Sequence, residues 1–168
     1  LKKFDREQAE RYVDEVLALE EKLRDTNDKI NKLDQEETLI KPWIGYATPL
    51  EMKGTHKTII HEGVVPTTVD MTEIINELEG IGGIVVKLIN ADKDLNYVAF
   101  ICLRSKEEEI MSLLKQKGFS EVYFRHLKGT VAENVERIKK EKEELFAKVK
   151  DIEKEAAERA SLRRIIEN

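Results

Sequence analysis

The sequence predicts an α+β protein in which two long helices flank a small lobe of alternating strands and helices. The two ends of the chain repeat apolar side chains at three- and four-residue steps, without proline or glycine. Between them, short β-branched runs alternate with amphipathic segments bounded by glycine, proline and aspartate. Charged residues make up 38% of the chain and aromatic residues only 6%, which favours long solvated helices over one compact core.

Residues 1–39 are predicted to form one uninterrupted helix, since the first proline is Pro42. Its apolar positions follow the heptad a/d pattern of a coiled coil for about four heptads. The positions on this seam are Ala9, Tyr12, Val16, Leu19, Leu23, Thr26, Ile30 and Leu33.

Residues 129–168 are predicted to form the second long helix. Thr130 and Glu133 have the spacing of a capping box, which places the helix start next to Thr130. Lys142 and Arg159 interrupt its seam with charge. The apolar seam positions are Val131, Val135, Ile138, Leu145, Val149, Ile152 and Ala156.

Neither narrow stripe can stabilise a helix alone in water, so the two helices are expected to pack on each other. A chain that returns after a folded insert gives an antiparallel pair, with Leu33 near Val135 and Leu19 near Val149. The alternative is parallel self-association into a homodimer. The matching lengths of the two seams favour the intrachain pair and a monomeric chain.

Residues 40–54 are a connector, and residues 55–128 are predicted to form a lobe with the order β-α-β-β-α-β. The strands are expected at 58–66, at 84–89, at 97–103 and around Val122 and Phe124. The third strand is apolar on both faces and is therefore predicted to be central. This order is the ferredoxin-like arrangement, a four-stranded sheet with two helices on one face. We expect the lobe at the tip of the coiled coil.

The two lobe helices are predicted from their start and stop signals. Asp70 with Glu73, and Ser105 with Glu108, have N-terminal capping spacing, and Glu107 to Glu109 suit the positive end of a helix dipole. The helices are expected to stop at the cluster Gly80, Gly82 and Gly83 and at Gly118, respectively.

No catalytic, cofactor-binding or metal-binding residue is predicted. The glycines at 80–83 follow a helix and open a strand, the reverse of a dinucleotide fingerprint, and no P-loop motif occurs. His56, His61 and His126 are interpreted as surface or sheet-edge residues, since a zinc site needs three or four convergent ligands. Cys102, the one cysteine, is interpreted as a small core residue.

Binding surfaces are the remaining candidates. Trp43 is predicted either to close the base of the lobe or to belong to a partner-binding surface. The sheet face that no helix covers is the other open surface. Net charge is −5, and none of the parts 1–39, 40–130 and 131–168 has a basic surplus, which argues against nucleic acid as a partner.

The order of these features resembles one family of membrane-complex subunits. A long charged helix leads to Lys41-Pro42-Trp43, then to a strand that ends in Gly63-Val64-Val65-Pro66, a βαββαβ lobe and a returning helix. This order is similar to that of the N-terminal region of subunit I of bacterial and archaeal V/A-type ATPases. The eukaryotic counterpart is the a subunit. The resemblance covers essentially the whole chain.

The resemblance implies a non-catalytic stator role in a rotary proton-translocating ATPase. In that family the arm links the membrane sector to peripheral stalks, and this chain would be the distal lobe with part of its hairpin. The implied partners are the peripheral-stalk subunits. The implied location is the cytoplasmic side of the membrane, in a parent integral membrane protein. The chain begins at Leu1 and ends at Asn168 inside helical patterns, so we expect it to be an excerpt of that parent.

Three other interpretations remain open at this stage. An ACT-like small-molecule regulatory domain has the same β-α-β-β-α-β order and would respond to amino acids. A generic coiled-coil interaction module would dimerise through its helices. A helical arm of an RNA enzyme is disfavoured by the acidic balance of the chain.

Overall fold

The computed structural model describes the backbone of residues 2–167 and the side chains of residues 5–161 and Arg164. It confirms an α+β chain, with a four-stranded antiparallel sheet and long helices. The chain divides into two compact units. The helical unit holds the residues up to Glu37 and from Arg137 onward, and the sheet unit holds Thr38–Glu136.

The helical unit is built from α1 (Lys2–Ile40) and α4 (Val131–Glu167). Ion pairs join the two helices in the antiparallel sense, between Glu36 and Arg137 at 2.9 Å and between Glu15 and Arg159 at 2.6 Å. Among the described residues of this unit, the buried apolar side chains are Leu19, Ile30, Leu33, Ile138 and Ile152.

The polar residues on the predicted seams have partners. Thr26 is only 2% exposed, and its hydroxyl donates to the carbonyl oxygen of Lys22 at 2.7 Å. Lys142 reaches across to Asp34 at 2.5 Å and to Glu37 at 3.3 Å. These interruptions of the apolar stripe are therefore satisfied rather than left as unpaired polar groups, which would cost stability.

The predicted register of the two helices is wrong by about two turns, or about seven residues. Leu33 shares a groove with Glu141 and Leu145 instead of lying near Val135. The cause is the repeat itself, because an apolar pattern with a period of seven permits every register that differs by one heptad. The cross-helix charge pairs of Lys142 and Arg159 distinguish these registers.

The sheet unit contains β1 (Thr58–Pro66), α2 (Met71–Ile81), β2 (Ile84–Ala91), β3 (Leu95–Leu103), α3 (Glu107–Gln116) and β4 (Ser120–Glu121). The strand order is β2-β3-β1-β4, and all the pairs are antiparallel. The third strand is central, as its two apolar faces predicted.

Both helices of the sheet unit pack on one face of the sheet. Alternate residues of β3, namely Val98, Phe100 and Cys102, point to this face, because side chains alternate along a strand. They meet apolar residues of both helices. The other fully or nearly buried members of this core are Val65, Ile74, Leu78, Ile110, Leu114 and Phe119. Each such aliphatic side chain contributes about 1.5–3 kcal/mol by leaving water.

Two of the predicted helix caps are confirmed, and one is wrong. The carboxylate of Asp70 accepts from the N–H of Thr72 at 3.0 Å, and the hydroxyl of Thr130 accepts from the N–H of Glu133 at 3.2 Å. Ser105 instead lies in a 3-10 turn, and α3 begins at Glu107 without a side-chain cap. Three glutamates in its first turn complement the helix dipole in place of the cap.

The last strand is also shorter than predicted, since β4 ends at Glu121. Val122 still donates its N–H to the carbonyl oxygen of Glu62 at 2.9 Å, but Phe124 turns away into a buried aromatic group. At α2, Gly80 lies inside the helix, and Gly82 with φ 78° ends it.

Candidate docking surface

The connector covers one part of the sheet face that α2 and α3 leave open. A 3-10 turn at Lys41–Trp43 begins it, and the side-chain amide of Asn90 donates to the carbonyl oxygen of Pro42 at 2.9 Å. Trp43 is 1% exposed. Its ring lies 5.4 Å from that of Phe124 and 5.6 Å from that of Tyr97, both edge to face. Trp43 is therefore an interior residue, and its alternative assignment to a partner-binding surface is wrong.

A buried carboxylate lies under the same connector. Glu62 is 2% exposed, and the hydroxyl of Tyr46 donates to its Oε1 at 3.2 Å. Burial raises the pKa of Glu62, although Lys53 and the Tyr46 hydrogen bond oppose that effect. Burial and the nearby Glu62 also raise the pKa of Tyr46. Both side chains are buried, with Tyr46 7% exposed.

The residues on which the sequence resemblance rests have structural roles in the sheet unit. A Cβ atom at Gly63 would collide with the ring of Phe119 and the carbonyl oxygen of Ser120, so only glycine fits where β4 approaches β1. Pro66 is the last residue of β1, and Trp43 is buried. Gly63 and Trp43 therefore contribute to the packing of the sheet unit.

His61 is the histidine that the sequence analysis misplaced. It lies in β1, between β3 and β4, with its side chain 14% exposed, so its assignment to the surface or a sheet edge is wrong. Its Nε2 is 3.1 Å from Oε2 of Glu107, and its Nδ1 contacts Oε1 of Glu121. Its ring also packs 5.1 Å from that of Phe100. His61 therefore ties the start of α3 and strand β4 to β1.

This cluster does not form a metal site. The two ring nitrogens of His61 face different carboxylates, so the possible ligands do not converge on one point. Within the described residues, no group of three or more histidine, cysteine, aspartate or glutamate side chains could hold a metal ion. Cys102 is 2% exposed, as predicted for a core residue, and burial followed by the charge of Glu107 raises the pKa of its thiol. His56 and His126 are exposed, as predicted.

The uncovered part of the sheet face exposes aliphatic side chains. Val85 of β2 and Ile101 of β3 are cross-strand partners, and they alternate with core residues, so they point away from α2 and α3. Their exposed fractions are 70% and 36%, and that of Leu103 is 41%. We call Val85, Ile101 and Leu103 the apolar strip. Val85 brings the strip onto β2, which is an edge strand of the sheet.

Basic residues surround the apolar strip. The segments 53–61, 80–91 and 95–106 contain no aspartate or glutamate, although acidic residues outnumber basic ones in the chain. Backbone hydrogen bonds bring these segments together, from Arg104 N–H to Lys57 O at 2.9 Å and from Leu103 N–H to Gly83 O at 2.8 Å. We call their five basic residues the basic rim: Lys53, Lys57, Lys87, Arg104 and Lys106.

Charge counts over residues 1–39, 40–130 and 131–168 do not reveal this surface. The basic residues are separated by up to 53 positions and come together only when β1, β2 and β3 pair. A usable signal was present, namely the absence of carboxylates from three successive segments.

The chain thus has a paired-helix unit and an antiparallel sheet unit that exposes the apolar strip and the basic rim. No protein-family model matches the chain, and no curated protein matches it. Among solved structures, it is similar to the cytoplasmic N-terminal domain of subunit I, homolog of subunit a, of V-ATPase. The TM-score is 0.50 with 16% identity, over 92% of this chain and 50% of that one.

The chain therefore has a fold like that of the V-ATPase subunit I domain, as the sequence resemblance implied, and spans half the length of the matched structure. Among the described residues, no helix is long and apolar enough to cross a membrane.

Proposed function

We propose that this chain is a non-catalytic stator arm of a rotary V/A-type proton-translocating ATPase, and that its sheet unit docks peripheral-stalk subunits. The observation that carries the proposal is the fold likeness to the subunit I domain over 92% of the chain. The parent protein would be an integral membrane protein, with this arm on its cytoplasmic side.

The finer architecture belongs to the same proposal. The helical unit acts as a coiled-coil spacer, with 1–39 and 129–168 as its helices and 40–54 as a connector. The lobe at 55–128 is ferredoxin-like. The strand order β2-β3-β1-β4 and the placement of both lobe helices on one sheet face support that assignment.

The ion pairs of the helical unit support a mechanical role. They occur at both ends of the described pair, at Glu15–Arg159 and at Glu36–Arg137, with Lys142 near the second. A pair of long helices resists bending better than a flexible linker would, because i→i−4 hydrogen bonds hold the backbone of each helix in one conformation. Torque resistance over distance is what a stator arm supplies.

The proposal is tested by measuring association of the whole chain with a purified peripheral-stalk heterodimer. Biolayer interferometry with the chain immobilised should show saturable binding, with circular dichroism confirming that the chain is folded. A folded chain that shows no association at stalk concentrations up to about 100 μM would contradict the docking role, since that limit already corresponds to weak binding.

A further inference from the structure

We propose that the apolar strip and the basic rim together bind an acidic amphipathic helix of the stalk partner. This inference rests on the proposed function and adds to it the surface used and the chemistry of the segment that it takes.

The shape of the surface favours a helix. Val85, Ile101 and the half-buried Ile60 form one row across β2, β3 and β1, and Leu103 lies two residues along β3 from Ile101. The opposite face of the same sheet, with similar branched side chains, already packs against α2 and α3. A helix with an apolar stripe is the usual partner of such a face, because it buries both apolar surfaces in adjacent layers.

The charge of the surface favours an acidic helix. Lys57 and Arg104 lie at one end of the strip, and Lys87 is adjacent to it on β2, where it pairs with Ala99. Glu62 lies on this face, but it is buried, accepts from the hydroxyl of Tyr46 and interacts with Lys53 of the rim. Lys57, Lys87 and Arg104 form no ion pair with a carboxylate among the described residues. These three side chains therefore present positive charge beside the apolar strip, and carboxylates flanking the stripe of an incoming helix would complement it.

A second copy of the chain is a poorer occupant. A symmetric contact would place the same patch on both sides, so each basic rim would face an identical basic rim. Like charges brought together at an interface oppose association. The chain also carries its acidic surplus elsewhere, outside the three segments that form this surface.

Two pairs of variants test the surface with the stalk heterodimer as probe. Lys57→Glu with Lys87→Glu reverses the rim, and we expect it to weaken binding at least about tenfold at low salt. Val85→Thr with Ile101→Thr removes the apolar contact while keeping β-branched side chains, and we expect a loss of about five- to tenfold. Wild-type affinity should fall as ionic strength rises.

Matched controls come from the helical unit. Lys139→Glu with Lys140→Glu makes the same change of charge at exposed positions of α4, and Val13→Thr removes an apolar side chain that is 52% exposed on α1. Both controls should bind like wild type. Circular dichroism and thermal unfolding of every variant separate a lost contact from a lost fold.

The outcomes distinguish the inference from the proposed function. If wild type binds the heterodimer and the surface variants bind equally well, the inference is overturned and the proposed function stands. If folded wild type does not bind, both fall. Wild type is also probed with a dT20 oligonucleotide. If dT20 binds in competition with the heterodimer, and if Lys57→Glu with Lys87→Glu abolishes that binding, the surface is a phosphate site and the helix proposal is overturned. If sedimentation shows that wild type dimerises with concentration, and if Val85→Thr with Ile101→Thr abolishes the dimer, the occupant of the surface is a second copy of the chain and not an acidic helix.

Discussion

Trp43 is the side chain on which the covered part of the sheet face depends. It is the one tryptophan of the chain and is 1% exposed among the rings of Tyr46, Tyr97 and Phe124. We expect Trp43→Ala to lower the free energy of unfolding by about 3–5 kcal/mol, because it removes a large buried ring and leaves a cavity.

Urea unfolding followed by circular dichroism measures the effect of Trp43→Ala, since the variant lacks the tryptophan fluorophore. Met52→Ala in the same connector is the control, and its 48% exposed side chain should change stability by less than about 0.5 kcal/mol. A loss for Trp43→Ala no larger than that of Met52→Ala would contradict the interior position of the ring.

Glu62 makes the stability of the sheet unit depend on pH. Because burial raises its pKa, the folded chain holds this proton more tightly than the unfolded chain does. The stability that this tighter proton binding contributes is fully present below the ordinary glutamate pKa. It is lost as pH rises through the raised pKa that Glu62 has in the folded chain. An ionised Glu62 therefore costs stability at neutral pH.

We predict that Glu62→Gln raises the free energy of unfolding at pH 7, by on the order of 1 kcal/mol, while keeping an acceptor for Tyr46. The gain over wild type should shrink as pH falls to 4, where wild-type Glu62 is protonated. Urea unfolding from pH 4 to 8 measures the difference, with the exposed Glu136→Gln as control. A gain that grows toward low pH would have the wrong sign and would reject the burial argument.

Gly63 and Gly80 differ in the space available for a Cβ atom. A Cβ at Gly63 would collide with Phe119 and Ser120, where β4 approaches β1, whereas a Cβ at Gly80 on α2 would meet nothing within 4 Å. We expect Gly63→Ala to destabilise the chain by about 1–3 kcal/mol through overpacking. Gly80→Ala should stabilise it by up to about 1 kcal/mol, because alanine is the better helix former.

Thermal unfolding of Gly63→Ala and Gly80→Ala side by side tests this contrast, since each variant is the chemical control of the other. Equal shifts of the melting temperature, or shifts with reversed signs, would show that β4 does not approach β1 as described.

The register of α1 and α4 is testable through one charge pair. Arg159 and Glu15 face each other at 2.6 Å, and both side chains are partly exposed. We expect Arg159→Glu alone to cost about 0.5–1 kcal/mol by placing like charges together, and the added Glu15→Arg to restore most of that loss.

Urea unfolding of the single variants and the double variant measures this coupling. Arg6→Glu breaks only a pair within α1 whose side chains are 82% and 69% exposed, and it should change stability less. If the double variant recovers no stability, Glu15 and Arg159 do not face each other. The helices would then have another register, such as the one with Leu19 near Val149.

Local signals predicted the elements well, because they depend on neighbours in sequence. Asp70 and Thr130 cap their helices as their spacing indicated, and β3 is central as its two apolar faces indicated. The heptad seams did not determine the helix register, since a seven-residue repeat is compatible with itself after a shift of one heptad. His61 was misplaced for a related reason, because its partners Glu107 and Glu121 are 46 and 60 positions away.

At the scale of the whole molecule, the chain combines an acidic composition with one basic surface. Net charge is −5, yet the three segments that form the apolar strip and basic rim contain no carboxylate. Charge counts along the sequence predict solubility and broad partner class, but only strand pairing shows where charges meet. The candidate surface thus required the topology of β1, β2 and β3.

Hydrogen exchange of the chain with and without the peripheral-stalk heterodimer tests most directly whether the sheet unit is the docking element. At a saturating concentration of the heterodimer, we predict slower exchange in residues 53–61, 80–91 and 95–106, with α1 and α4 unchanged. Slower exchange confined to α1 and α4, or no change in any segment when binding is saturated, would contradict the account.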